Sequence, residues 1–144
     1  MTDEAIEISI TRDFNAAPAA VFASWIDPEQ FARWFGTEET TVEDVVMDPT
    51  PGGSWSARMV LDEGAEIAWH GSYLEVDPPT RLVMTLSDRP GEQFELVVVE
   101  LEAKGEGTSM TFTQSGGNVP PEFLEQTTQG WHAFFDDLAR GLVA

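Results

Sequence analysis

The chain has 144 residues, 42% of them hydrophobic and five of them tryptophan, a composition that excludes intrinsic disorder. One domain spanning 1–144 is expected, long enough to bury roughly two-thirds of its unfolded surface. The 26 acidic residues against seven basic ones give a net charge of −19, which argues against nucleic acid and anionic membrane surfaces as partners.

From Ala5 to Phe14, Ile6, Ile8, Ile10 and Phe14 alternate with Glu7, Ser9, Thr11 and Asp13, the pattern of a half-buried strand. Pro18 opens a short helix carrying Val21, Phe22, Trp25 and Ile26. Asp27-Pro28-Glu29-Gln30 restarts it, with Asp27 as N-cap, Pro28 at the first helical position and Gln30 placed to complete a capping box. Phe31, Trp34 and Phe35 form the apolar face of this second helix, and Gly36 ends it.

Between Thr41 and Ser115 the period switches to two. The expected strands are 41–47, 54–61, 66–76, 81–87, 93–103 and 108–114, separated by turn-forming stretches such as Pro49–Gly53, Asp77-Pro78-Pro79 and Gly105-Glu106-Gly107. Links this short imply an antiparallel meander. Trp55, Ala57, Met59 and Leu61 share a face, as do Met110, Phe112 and Gln114. The strand at 93–103 is apolar on both faces, with Leu96 and Val98 opposite Val97, Val99 and Leu101, so either a bulge re-phases it or its outer face is covered.

The stretch from Pro120 to Val143 reads as one amphipathic helix. Phe123, Leu124, Trp131, Phe134, Phe135 and Leu138 share its apolar face. The tandem Pro120-Pro121 suits its first turn. Gly130 is its odd member: a mid-helix glycine is about 1 kcal/mol less favourable than alanine. Its position beside Trp131 predicts a close approach to another backbone or room for a bulky neighbour.

The order is therefore strand, two short helices, six strands and a long helix. A sheet with one apolar face must bury it, and the long helix has the matching face. If the sheet curls around that helix without filling the space between them, a cavity remains.

Chemistry-bearing residues are few. There is no cysteine, hence no disulfide, thiol nucleophile or zinc-thiolate site. No histidine–carboxylate set has metal-ligand spacing, so neither a metal nor another cofactor is expected. G-x-S-x-G is absent, and Gly52-Gly53 and Gly116-Gly117 read as turns. The acid pairs Glu38-Glu39 and Asp136-Asp137 read as solvated charge. Parity places His70 on the outer face, and His132 is four residues before Asp136, the spacing of a helical pair. No apolar run has membrane-spanning length and no signal-peptide pattern opens the chain, so a cytoplasmic protein is the expectation. The single lysine beside six arginines suits either a high-salt habitat or a GC-rich genome, and both stay open.

This order, with these residues, resembles the START-like (SRPBCC, helix-grip) superfamily. Within it the resemblance is to the family named after the C-terminal domain of the Hsp90 ATPase activator. The pieces that carry it, in order, begin with Ala17-Pro18 and Val21-Phe22, then Trp25, Asp27-Pro28-Glu29, Phe31 and Arg33-Trp34-Phe35-Gly36. Pro51-Gly52-Gly53-Ser54-Trp55 follows, then Gly71 through Pro79 with Arg81-Leu82-Val83, then Gly107 through Thr113, and finally Gly130-Trp131. The resemblance implies an α+β helix-grip fold. A strongly curved antiparallel sheet of about seven strands would carry two short helices after its first strand and a long C-terminal helix packed across it. It also implies a cavity for a hydrophobic or amphipathic small molecule between sheet and helix.

The residues expected to line that cavity are Trp34, Trp55, Met59, Trp69, Tyr73, Met84, Phe112, Gln114, Trp131 and Phe135, with Gln114 and Tyr73 as its polar contacts. No catalytic centre is identified. The alternatives are a cyclase-like enzyme drawing acid–base help from Tyr73, Gln114 or His70, and a co-chaperone-like interaction module. Homodimer formation through an outer sheet face is kept open.

Overall fold

A computed structural model describes residues 7–35, 40–61, 64–87, 94–116, 122 and 124–142. Strand β1 (Glu7–Phe14) is followed by helices α1 (Pro18–Ile26) and α2 (Pro28–Trp34). Six strands follow: β2 (Thr41–Met47), β3 (Ser54–Val60), β4 (Glu66–Asp77), β5 (Arg81–Leu86), β6 (Glu95–Lys104) and β7 (Gly107–Ser115). Helix α3 (Leu124–Leu142) comes last. The expected starts at Ala5-Ile6 and Pro120-Pro121, the helix stop at Gly36, Glu38-Glu39, Phe123 and Gly117 lie outside the described residues.

The strands form one antiparallel sheet in the order β1-β7-β6-β5-β4-β3-β2. Strands β2 to β7 run as a meander, and β1 closes the far side against β7. One face carries the core: Ile8, Ile10, Trp55, Met59, Phe112 and their same-parity neighbours are buried with α1, α2 and α3 packed on them. This is the α+β helix-grip arrangement.

The junction of the two short helices follows the sequence with one change. Asp27 caps α2 by accepting from the Glu29 N–H at 3.0 Å, and Gln30 Nε2 donates to its other carboxylate oxygen at 3.0 Å. A standard capping box would aim Gln30 at the Asp27 backbone N–H. That N–H already donates to the Ala23 carbonyl at the end of α1, so the side chain turns to the carboxylate instead. These hydrogen bonds, Gln30 first, hold the Asp27 carboxyl below its ordinary range.

The expected choice for β6 resolves without a bulge. Its register with β5 and β7 is continuous, with Val97, Val99 and Leu101 buried and Leu96 and Val98 half-buried on the outer face. The bulges lie elsewhere. In β2 the register shifts between Glu43 and Val46, where Asp44 takes a positive φ of 53°. Arg58 fixes that kink by reaching Glu43, Asp44 and Glu66 together. In β4 the shift falls between Tyr73 and Glu75.

Two expectations about α3 are corrected. Gly130 makes no close approach, because a Cβ built there meets nothing within 4 Å beyond its own helix. Its neighbour Trp131 does the packing, buried on the sheet's inner face with its ring 4.5 Å from Phe112. The expected pairing of His132 with Asp136 is replaced by a cross-element bond. Asp136 pairs with Arg12 of β1 at 2.7 Å, and the same guanidinium donates to the His132 carbonyl at 3.3 Å, tying α3 to the sheet edge.

Candidate functional site

All ten residues expected inside are on the inner side of the sheet or on the helices facing it. Four of them, Trp34, Phe112, Trp131 and Phe135, close around Trp25 into one aromatic cluster. Trp25 is 4.7 Å from Trp34, 6.1 Å from Phe112 and from Phe135, and 6.5 Å from Trp131, centroid to centroid. Spacings this short are those of packed aromatic pairs. The cluster continues through Phe35, 6.2 Å from Trp131, to Trp69 on β4 at 5.5 Å.

The polar handles of this set fall into two groups. Some are spent on structure. Trp34 Nε1 donates to the Ser24 carbonyl at 2.8 Å, binding α2 to α1. Trp55 lays its indole over Gly71 and donates to the Thr85 carbonyl at 2.9 Å. Only glycine fits beneath it: a Cβ at 71 would lie 1.8 Å from the Thr85 oxygen and 2.6 Å from the indole nitrogen. Gln114 is also engaged at both ends. Its oxygen accepts from Trp131 Nε1 at 2.7 Å and its nitrogen donates to Glu95 Oε1 at 3.0 Å.

Glu95 is the member of this chain that sequence reasoning missed. It is only 8% exposed, on the inner face at the start of β6. A signal was present, since Glu95 shares parity with Val97, Val99 and Leu101. Register then links Gln114 to the rest of the interior: Gln114 pairs with Val97, Val97 with Met84, and Met84 with Tyr73, in one cross-strand row.

The second group has buried polar atoms without any partner. Tyr73 is fully buried and its hydroxyl makes no hydrogen bond; neither do Trp69 Nε1 and Trp25 Nε1. Burial, with the charge of Asp48 second, pushes the Tyr73 phenol above its ordinary range and keeps it protonated. An unsatisfied buried donor costs roughly 1–3 kcal/mol, so three of them in one interior call for an account.

His70 stands apart from this interior. It lies on the outer face, bridged to Ser87, with its ring 5.3 Å from Phe94 and its Nε2 buried without a partner. The sheet separates it from Tyr73 and Gln114, so the three do not converge on a common substrate atom. Among the described residues no group of three or more His, Cys, Asp or Glu is placed to hold a metal, and no helix is long and apolar enough to cross a membrane.

The resemblance drawn from sequence is matched by comparison with known proteins. Residues 15–142 fit the model of the family described as Activator of Hsp90 ATPase homolog 1-like protein. Among solved structures, a protein from Chromobacterium violaceum superposes with a TM-score of 0.85 at 23% identity, over 94% of this chain and 96% of that one. One from Rhizobium leguminosarum gives 0.81 at 27% identity, over 96% and 95%. The AHSA1-like protein from Aeromonas hydrophila gives 0.80 at 25% identity, over 94% and 90%. No curated protein matches the sequence. With the helix-grip architecture and a family match over nearly its whole length, the chain belongs to the Activator of Hsp90 ATPase homolog 1-like family of START-like ligand-binding domains.

Proposed function

We propose that the chain acts as one domain that binds an apolar small molecule between the inner face of the sheet and α3. The observation that carries this reading is the pair of buried, unpartnered polar groups on the inner face of β4, Trp69 Nε1 and the Tyr73 hydroxyl. Protein interiors rarely leave such groups unsatisfied, and a bound molecule satisfies them.

The packing supports a position for it. On β1, β5, β6 and β7 the inner residues are closed off, Ile10, Leu82, Val99 and Phe112 among them. On the β2–β4 half, Val42, Leu61, Ile67 and Trp69 stay half-buried against the core, as does Phe134 of α3. An entering molecule thus meets apolar side chains first and reaches the donors behind them. Trp55, Met59, Trp69, Tyr73 and Met84 are proposed as its walls; Trp34, Phe112, Trp131 and Phe135 as the packed floor; Gln114 as the brace of that floor. Each Å² of apolar ligand surface removed from water contributes about 25 cal/mol.

The test is a titration with an uncharged, environment-sensitive dye, read by energy transfer from the interior tryptophans. Saturable binding at one dye per chain is expected, and Met59→Trp should abolish it while leaving cooperative unfolding intact. Wild type that shows no saturable uptake refutes the proposal.

A further inference from the structure

We infer that the interior ligand is an uncharged molecule bearing a hydrogen-bond acceptor of carbonyl type, received by Trp69 Nε1 or the Tyr73 hydroxyl; this rests on the binding role proposed above and names its chemistry. Among the described residues, each unpartnered buried side-chain nitrogen or oxygen on the inner side carries a hydrogen to donate: the indole N–H of Trp25, the indole N–H of Trp69 and the phenol of Tyr73. The phenol is held protonated by its burial. The buried side-chain acceptors Gln114 and Glu95 are already engaged, Gln114 Oε1 accepting from Trp131 and Glu95 Oε1 from Gln114. A pure hydrocarbon would leave the donors unsatisfied, and a molecule offering only donors could use the Tyr73 oxygen but would leave the Trp69 indole N–H unsatisfied.

The charges of the described residues disfavour an anion. Among the described residues no lysine or arginine is buried, and the buried carboxylate on this face is Glu95. All six described basic side chains are bound to acids at the surface: Arg12, Arg33, Arg58, Arg81, Lys104 and Arg140. A carboxylate placed inside would have no counter-charge among the described residues, and an unpaired buried ion is heavily penalised. A ketone, ester, lactone or quinone fits; a fatty acid in its ionised form does not.

The two donors are separable. They lie four residues apart on one face of β4, about 13 Å along the strand at roughly 3.3 Å per residue. A small carbonyl compound therefore engages one of them at a time. Trp25, enclosed by Trp34, Phe112, Trp131 and Phe135, sits within the packed cluster and is not part of the assignment.

The test uses three matched probes on the full chain: a dialkylaminonaphthyl ketone, the same molecule with the ketone reduced to methylene, and its carboxylate counterpart. The ketone is expected to bind about tenfold tighter than the hydrocarbon, equivalent to about 1.4 kcal/mol, with the carboxylate weakest. Its carbonyl stretch should move to lower frequency on binding. In Trp69→Phe with Tyr73→Phe the ketone and hydrocarbon should bind equally and the stretch should no longer shift; the single variants show which donor is used. Using the hydrocarbon as internal reference removes any general change in the pocket. Equal binding of ketone and hydrocarbon to wild type, a preference surviving in the double variant, or tightest binding of the carboxylate would overturn the inference and leave the binding role standing. Failure of all three probes to bind overturns both.

Discussion

Replacing Gln114 by leucine tests how the floor of the proposed site is held. The substitution keeps approximate volume but removes two hydrogen bonds, at 2.7 Å from Trp131 Nε1 and at 3.0 Å to Glu95 Oε1. The indole N–H is then left without an acceptor in a buried residue, at a penalty of about 1–3 kcal/mol. Glu95 keeps a further interaction, so its share is at the low end of that range. The added apolar burial of leucine offsets part of the sum, leaving a net loss of about 2–3 kcal/mol. With a urea dependence of about 2 kcal/mol per molar, the unfolding midpoint should fall by about 1–1.5 M. Trp131→Phe removes the donor at the other end, and the double variant should be less unstable than the two losses added, by about 1–2 kcal/mol. A midpoint shift below roughly 0.3 M for Gln114→Leu, or strict additivity of the pair, would mean the chain is not made in solution.

Three further outcomes follow from other parts of the molecule. Gly130→Ala should stabilise by about 0.5–1 kcal/mol, because the position is helical and a methyl group meets open space; a loss in denaturant stability would restore the close contact expected from sequence. Tyr73→Phe should raise stability by about 1 kcal/mol by deleting a buried hydroxyl that has no partner, and a drop would reveal a partner in solution. With every described basic side chain already paired and a net charge of −19, excess acids repel one another. Melting temperature should therefore rise from dilute buffer to about 1 M sodium chloride, where the screening length is about 3 Å; an unchanged or lower value would contradict net repulsion.

Particular residues show where sequence reading reached its limit. Strand parity placed Trp55, Met59, Phe112 and Gln114 inside, because alternation records which face meets the core. Asp27 and Pro28 marked the second helix for an equally local reason, the chemistry of its first turn. Gly130 misled, because a helical pattern says which face is buried but not what lies opposite a given residue. Asp136 found Arg12, 124 positions earlier in the chain, rather than its helical neighbour, and no local spacing encodes that pairing. Glu95 was legible in principle from parity, yet an acid on an apolar face reads as an exception until its partner Gln114 is seen. The unpartnered donors of Trp69 and Tyr73 were beyond reach altogether, since a missing partner is a property of the assembled interior.

Native mass spectrometry tests the central claim, interior binding of a small molecule, most directly. Wild type is compared with Met59→Trp, each as purified and after addition of an uncharged apolar ketone. The account predicts one added small molecule per wild-type chain, released on collisional heating, and its absence from Met59→Trp. Bare wild-type chains under both conditions, or the same adducts on both proteins, would contradict it.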